Sequence, residues 1–264
     1  MTARPLDGRY ALITGSTRGL GLAIAQRLAA DGCHVMLHGI ENAADVGEQL
    51  ASLQRAPGVK ARYTQADLRD VRQIEGLVAA ASAELGDVDI LVNNAVVRHF
   101  APVEAFPDER WDEALAVNLS APFHLIKRTL PGMRKRNWGR IINLSSTYGF
   151  FASAGRIDYV TTKTALLGVT RTVALETAKT GVTCNAICPG TIRTPNIQSR
   201  IEALAESKKI SEADAVAEYM AARQPSGRFI PAEDVANLIA FLCSPGGNEI
   251  NGAALPIDGA WMAS

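Results

Sequence analysis

Three things are scarce in this sequence of 264 residues: net charge, long apolar runs and cysteine. Lys and Arg number 27 and Asp and Glu number 27, so no cationic surplus exists to hold a phosphate backbone. A nucleic-acid partner is therefore not expected. The one basic run, Arg134-Lys135-Arg136, closes an expected helix, where cations complement the C-terminal dipole. No window approaches the ~18 consecutive apolar residues of a membrane span. Met1–Arg9 holds no apolar stretch of signal-peptide length, and a cytoplasmic protein is expected. Four cysteines make no disulfide framework; Cys33, Cys184 and Cys188 lie in apolar runs and are expected as buried, reduced thiols. His34 and His38 share one face of an expected strand, but no carboxylate or thiolate set accompanies them, so no metal is expected.

What is present is an ordinary globular composition, 47% apolar and 20% charged, in a length that suits one core. Short β-branched runs alternate with longer amphipathic segments. Strands are expected at Tyr10–Thr14, Cys33–Leu37, Lys60–Thr64, Ile90–Val92, Arg140–Leu144, Val182–Ile187 and Ala253–Ile257. Helices are expected after Gly15, at Asn42–Leu53 with Asn42 as cap, at Val71–Leu85, Tyr159–Thr177 and Ala232–Leu242. Glu109–Met133 reads as one long helix in which Pro122 is a candidate kink. This alternation predicts an α/β chain, a single domain over 1–264 with a doubly wound, Rossmann-type parallel seven-stranded sheet and helices on both faces. Between Pro189 and Pro231 the rhythm breaks for about forty residues, far beyond a usual loop. Helical patterns at Ile197–Glu206 and Ala213–Ala222 make 191–230 a helical lid after strand six, beyond the carboxyl ends of the strands where ligands bind.

Two constellations carry chemistry. The first strand-to-helix turn reads Thr14-Gly15-Ser16-Thr17-Arg18-Gly19-Leu20-Gly21, glycines that let backbone approach a pyrophosphate at a helix N-terminus. Tyr159 and Lys163, four apart on a helix, place a phenol beside an ammonium. A phenol is a weak base with a pKa of about 10. A neighbouring cation favours phenolate and brings it into use as an acid or base near neutrality. Ser146, just past the Ile141–Leu144 strand, offers a hydroxyl to hold an alcohol or carbonyl oxygen. A tyrosine and lysine at this spacing are more often an exposed helix face; the serine and the glycine loop reverse those odds.

TGSTRGLG, Asn93-Asn94-Ala95, Asn118, Ser146, Tyr159-x-x-x-Lys163 and Pro189-Gly190, in this order along the whole chain, resemble the short-chain dehydrogenase/reductase family. The resemblance implies an NAD(P)-dependent oxidoreductase acting on a CH–OH group without a metal. It makes Tyr159 the proton donor or acceptor and Ser146 the holder of the substrate oxygen. Lys163 would tune Tyr159 and bind the nicotinamide ribose, and Asn118 would hold a relay water. Gly15, Thr17, Arg18, Gly19, Leu20 and Gly21 would cradle the phosphates, and Gly39 would face the adenosine ribose. Asp67 and Leu68 would flank the adenine, Asn93 and Ala95 the adenosine ribose, and Pro189, Gly190, Ile192 and Thr194 the nicotinamide. Val96 stands where the family has glycine after Asn-Asn-Ala. That departure is the one feature favouring a second reading, a non-catalytic NAD(P)-binding sensor. Homotetramers are implied too, through the fourth and fifth helices and the last strand.

Within the family, the chain resembles bacterial 3-hydroxybutyrate dehydrogenases, which use NAD, through Ala174-Leu175-Glu176-Thr177-Ala178, Asn185-Ala186-Ile187-Cys188-Pro189-Gly190 and Asp258-Gly259-Ala260-Trp261. This points to NAD. The residues leave both cofactors open: Gly39 holds the usual acidic position, Glu41 comes slightly late, and Arg18 could pair a 2′-phosphate. The polar substrate positions of those relatives are filled here by Arg98, Tyr148, Arg156 and Arg200, while Thr191 replaces a tryptophan and Trp261 remains. Any one of these arginines alone would read as a surface residue. Together they suggest a strong or large anion, such as a sugar acid, a sulfonated or phosphorylated polyol or a longer hydroxy acid. 3-Hydroxybutyrate itself is the alternative.

Overall fold

Seven strands pair in parallel into one sheet of order β3-β2-β1-β4-β5-β6-β7: β1 (Tyr10–Ile13), β2 (His34–Gly39), β3 (Ala61–Gln65), β4 (Ile90–Asn93), β5 (Gly139–Leu144), β6 (Val182–Pro189) and β7 (Ala254–Ile257). The computed structural model describes residues 4–221 and 223–263. Every residue of β5 and of β6 is buried, as it must be in a parallel sheet covered on both faces. Neighbouring residues on a strand serve opposite layers. Ile13, Val35, Leu37 and Ile142 pack under α1 (Gly19–Ala30) and α9 (Ala232–Cys243), on the side that also holds α2 (Gly47–Gln54). Leu12, Met36, Leu91 and Ile141 pack under α3 (Val71–Glu84) and α5 (Ala121–Lys135). Each such side chain contributes roughly 1.5–3 kcal/mol of burial, which sets the sheet and both helical layers together.

The long helix expected over Glu109–Met133 is continuous in backbone but changes register part-way. A π-helical turn at Ala116–Ser120 separates α4 (Asp108–Leu115) from α5. Pro122 follows that turn at once, and its missing N–H falls where the helical bonding has already shifted register. The π turn is centred on Asn118, whose side chain is tied to the backbone of Val97. Asn42 makes no side-chain cap. A 3₁₀ turn at Ala43–Val46 intervenes before α2, closed by the Asp45 N–H donating to the Asn42 carbonyl. The remaining elements follow the expected rhythm. α6 (Ile157–Thr177) carries Tyr159 and Lys163, and the segment after β6 forms α7 (Pro195–Lys208) and α8 (Glu212–Ala221). The four cysteines are buried and unbridged. Among the described residues, no helix is long and apolar enough to cross a membrane.

β1 lies between β2 and β4, so the chain leaves the carboxyl ends of β1 and β4 toward opposite faces and opens a crevice there. The Thr14–Ser16 turn at this point is held from both sides. His38, at the end of β2, accepts the Gly15 N–H on Nδ1 at 3.1 Å and donates from Nε2 to the Ala66 carbonyl at 3.0 Å. Asn94, beyond β4, donates to the carbonyls of Thr14 and Gly15 at 2.9 Å each. These partners fix a neutral tautomer for His38, and burial pushes its pKa down to about 4. An unfolded histidine takes its proton near pH 6.5, the folded one only near 4, so folding is progressively disfavoured as pH falls through that window. Between pH 6.5 and 5 this one group should withdraw about 2 kcal/mol. Urea titrations at the two pH values should show that loss in the wild type and a smaller one in His38→Asn. Equal losses would assign the acid limb elsewhere.

Candidate active site

The crevice is a cleft of ≈ 1140 Å³ running from the Gly15–Gly21 loop to Trp261. Its first third is built of backbone. Gly15 and Gly19 have φ of +59° and +55°, which a side chain adopts only with strain. A Cβ on Gly15 would come within 2.9 Å of the Ala95 Cα, and one on Gly21 would run into the Gly15 carbonyl; one on Gly19 would meet nothing within 4 Å. The loop is thus tight on its protein side and open on its cleft side. Arg18, at the N-cap of α1, makes no side-chain cap, so the first amides of a twelve-residue helix have no side-chain acceptor and lie beside the cleft. Thr17 and Leu20 line the same wall. This donor set and this absence of side-chain bulk fit a dinucleotide pyrophosphate.

At the end of β2 the acid is displaced in sequence but not in space. Glu41 folds back, accepts the Ile40 N–H at 3.0 Å, and puts its carboxylate where a side chain on Gly39 would stand. Arg18, largely exposed, reaches across to Glu41 at 3.4 Å. Asp67 is clamped by Arg69, which holds its carboxyl below the usual range, and Leu68 follows it along the wall. The Asn93 side chain faces into the sheet. Its amide donates to Asn143 at 2.8 Å inside the sheet, and it does not line the cleft; Asn94 and Ala95 do. The last strand residue of β4 points into the protein, and the edge of the cleft starts one residue later.

Where β5 ends, the chemistry gathers. Ser146 opens a 3₁₀ turn (Thr147–Gly149), its Oγ accepting the Tyr148 N–H at 3.2 Å, which leaves its own O–H to donate. Lys163 is buried on α6, its Nζ donating to the Leu144 carbonyl at 2.6 Å. Burial, with the nearby positive charge of Arg98, pushes the Lys163 pKa down to about 7. Its Nζ lies 5.5 Å from the centroid of the Tyr159 ring, and Arg98 Cζ lies 6.0 Å from it. Asn118 is fully buried and does not line the cleft. Its side chain accepts the Val97 N–H at 2.9 Å and donates to the Val97 carbonyl at 2.8 Å, so its amide is committed to the loop. The Asp158 carboxylate accepts the His99 N–H at 2.9 Å. Arg98 is thereby pinned on both flanks, by Asn118 and by the residue preceding Tyr159.

The far end combines cations with rings. Arg156 Cζ lies 4.6 Å from the Phe100 ring and 5.0 Å from that of Tyr148; Arg200 Cζ, on α7, lies 4.3 Å from Phe100. Trp261 meets Tyr148 edge-on at 5.5 Å, carried by a C-terminal turn that Asp258 caps through Met262 N–H at 2.8 Å. Pro189, Gly190, Thr191, Ile192 and Thr194 form the opposite wall. Buried Gln224 accepts the Thr191 N–H, and Thr194 caps α7. All the cofactor and substrate residues expected from the sequence meet here except Asn93. Glu41, Phe100, Tyr219 and Arg223 also line the cleft. The sequence held a signal only for Glu41, two positions after Gly39. The roles of Phe100 and Arg223 emerge only when distant loops meet.

Residues 9–205 match the short chain dehydrogenase family. The chain belongs to that family. It is 43% identical to D-beta-hydroxybutyrate dehydrogenase of Cupriavidus necator over 98% of its length and 99% of the relative's. It is 40% identical to the Rhizobium meliloti protein of the same name, over 97% and 99%. Among solved structures, L-sorbose reductase from Gluconobacter frateurii, complexed with NADPH and L-sorbose, superposes with a TM-score of 0.92 at 29% identity, covering all of both chains. Levodione reductase gives 0.88 at 31% identity over 98% of this chain and 99% of its own. The fold and the oxidoreductase class follow.

Proposed function

We propose that this short-chain dehydrogenase interconverts a secondary alcohol and a ketone on an anionic hydroxy compound, with NAD as its cofactor. The observation that carries the substrate reading is the placing of Arg98, Arg156 and Arg200 around the ring of Tyr159 and its neighbours. None of the three joins an ion pair among the described residues, nor does Arg223 in the same cleft, whereas Arg18, Arg69 and Arg193, which also line it, all do. A substrate anion is the missing partner.

When bound, NAD(P) supplies the hydride acceptor for the alcohol or the hydride donor for the ketone. The chain's own residues handle the oxygen and its proton. Ser146 donates its O–H to the substrate oxygen, and the Tyr159 phenol gives or takes the proton there. Lys163 and Arg98 set positive charge beside that phenol and support its anionic form while the proton is in transit. The Leu144 carbonyl aims the ammonium. With a Lys163 pKa of about 7, its cationic fraction rises as pH falls and shrinks above neutrality. Asn118 serves by fixing Val97, hence Arg98, rather than by offering its side chain to a water.

NAD is favoured by Glu41. Its carboxylate at the end of β2 suits ribose hydroxyls and opposes a 2′-phosphate, and it engages Arg18, the cation that would otherwise welcome one. Residues 191–230 act as a lid in this reading, because Pro195, Ile197 and Arg200 of α7 and Tyr219 of α8 border the cleft. Assembly into a homotetramer is part of the same reading. Leu175 on α6 is 80% exposed and Phe123 on α5 51%, on the helices expected to pair. A monomer in sedimentation at micromolar concentration would contradict it. The identity to D-beta-hydroxybutyrate dehydrogenases favours a second reading, 3-hydroxybutyrate as substrate.

Tyr159→Phe should cut turnover by at least about 100-fold, read at the nicotinamide absorbance band, while NADH titration by fluorescence is unchanged. Near wild-type turnover would remove Tyr159 as the proton carrier. Glu41→Gln should shift the ratio of kcat/KM for NAD over NADP toward NADP by about tenfold or more, one charge-assisted hydrogen bond and one repulsion being removed. An unmoved ratio would place cofactor choice elsewhere.

A further inference from the structure

The substrate end of the cleft holds more positive charge than one carboxylate can answer. Arg98 stands nearest the reacting phenol, over the Tyr159 ring. Arg156 and Arg200 stand further out, both against Phe100, whose ring is 45% exposed and so serves as a rack for cations rather than as core. Arg156 is half-buried. Burial depresses its guanidinium, and the charges of Arg200 and Arg98 depress it further, so the three groups repel one another.

The carboxylates that reach the cleft leave this set unanswered. Glu41 is engaged by Arg18, Asp67 by Arg69, and Glu113 by Arg69, Arg110 and His99. Glu233 lies on the first turn of α9. Of the other arginines in this part of the cleft, Arg193 pairs with Glu212, while Arg223 donates to the Tyr219 carbonyl at 2.7 Å and joins no ion pair among the described residues, which adds to the unanswered charge. A single carboxylate answers one guanidinium bidentately. It would leave two like charges facing each other in a partly desolvated site.

Building on the anionic-substrate reading above, we propose that the substrate is at least a dianion. One anionic group sits at Arg98 near the reacting carbon, and a second sits at the Arg156–Arg200 pair on Phe100. The shared chemistry is a hydroxy compound with two separated anionic groups, or one whose distal group is itself doubly charged. Carboxylate, phosphate and sulfonate all meet it at the distal site, and the probes separate them.

The test uses the NADH complex and a binding readout. Butyrate is compared with succinate, glutarate and adipate, and with 3-phosphopropionate and 3-sulfopropionate, by displacement of NADH fluorescence or by thermal shift at fixed ionic strength. At least one dianion should bind tenfold or more tightly than butyrate. Arg156→Gln with Arg200→Gln should erase that preference and leave butyrate within about threefold of wild type, whereas Arg98→Gln should weaken both classes. Unchanged NADH affinity in the variants certifies the fold. Equal binding of mono- and dianions, or a double variant that weakens both alike, overturns the proposal.

Turnover separates this inference from the reading beneath it. 3-Hydroxyglutarate keeps the reacting carbon of 3-hydroxybutyrate and adds one carboxylate. Dianion binding without turnover of any hydroxy compound would sink the oxidoreductase assignment of the substrate and leave the charge inference standing. Efficient turnover of 3-hydroxybutyrate, with no gain from a second charge, would do the reverse.

Discussion

The hydrogen bond from the buried Lys163 ammonium to the Leu144 carbonyl holds the chemistry together. It joins the helix that carries Tyr159 to the strand end that carries Ser146, and a second bond from Ser145 Oγ to the Lys163 carbonyl at 2.8 Å repeats the joint from the other side. Gly149 allows this closeness, since a Cβ there would come within 2.7 Å of Ser145 Oγ. A buried ammonium is costly to desolvate, which is why its pKa falls to about 7. Such a group is tolerated where a carbonyl receives it and where its charge is useful to a neighbour. Tyr159, one turn earlier on the same helix, has its ring centroid 5.5 Å from that ammonium.

Around this joint the cleft is polarised along its length. One stretch carries Glu41 and Asp67, each answered by an arginine, and the other carries Arg98, Arg156 and Arg200, which no carboxylate answers among the described residues. The formal charge of the chain is zero, but the charge of its cleft is strongly uneven. That separation lets one groove accept a nucleoside with ribose hydroxyls at one end and an anionic substrate at the other.

Most of the fold was legible in the sequence because a parallel sheet writes itself as apolar runs. YALI, ILVN and VTCNAICP needed no partner to be recognised as strands. The juxtaposition of Tyr159 and Lys163 was legible because both are local to one helix. Contacts that depend on tertiary meeting were not. The π turn at Ala116–Ser120 takes up one extra residue inside an unbroken helix, so it left little mark in the pattern, and Pro122, the residue the sequence singled out, lies just beyond it. Asn93 and Asn94 are adjacent and alike, and only the Asn93–Asn143 bond shows which one turns inward. Phe100 was invisible as a site residue, because an exposed phenylalanine acquires meaning only when Arg156 and Arg200 arrive from two other segments.

The most direct test of the central claim, that one cleft brings an anionic substrate to Tyr159, is a crystal structure of the complex with NADH and a non-reacting dicarboxylate such as glutarate. The expected result is a dinucleotide whose pyrophosphate lies on the Gly15–Gly21 loop, with the glutarate chain passing within hydrogen-bond reach of Tyr159 and its carboxylates on Arg98 and on the Arg156–Arg200 pair. Glutarate bound outside the cleft, or the three arginines turned to solvent with Tyr159 facing away from the nicotinamide, would contradict it.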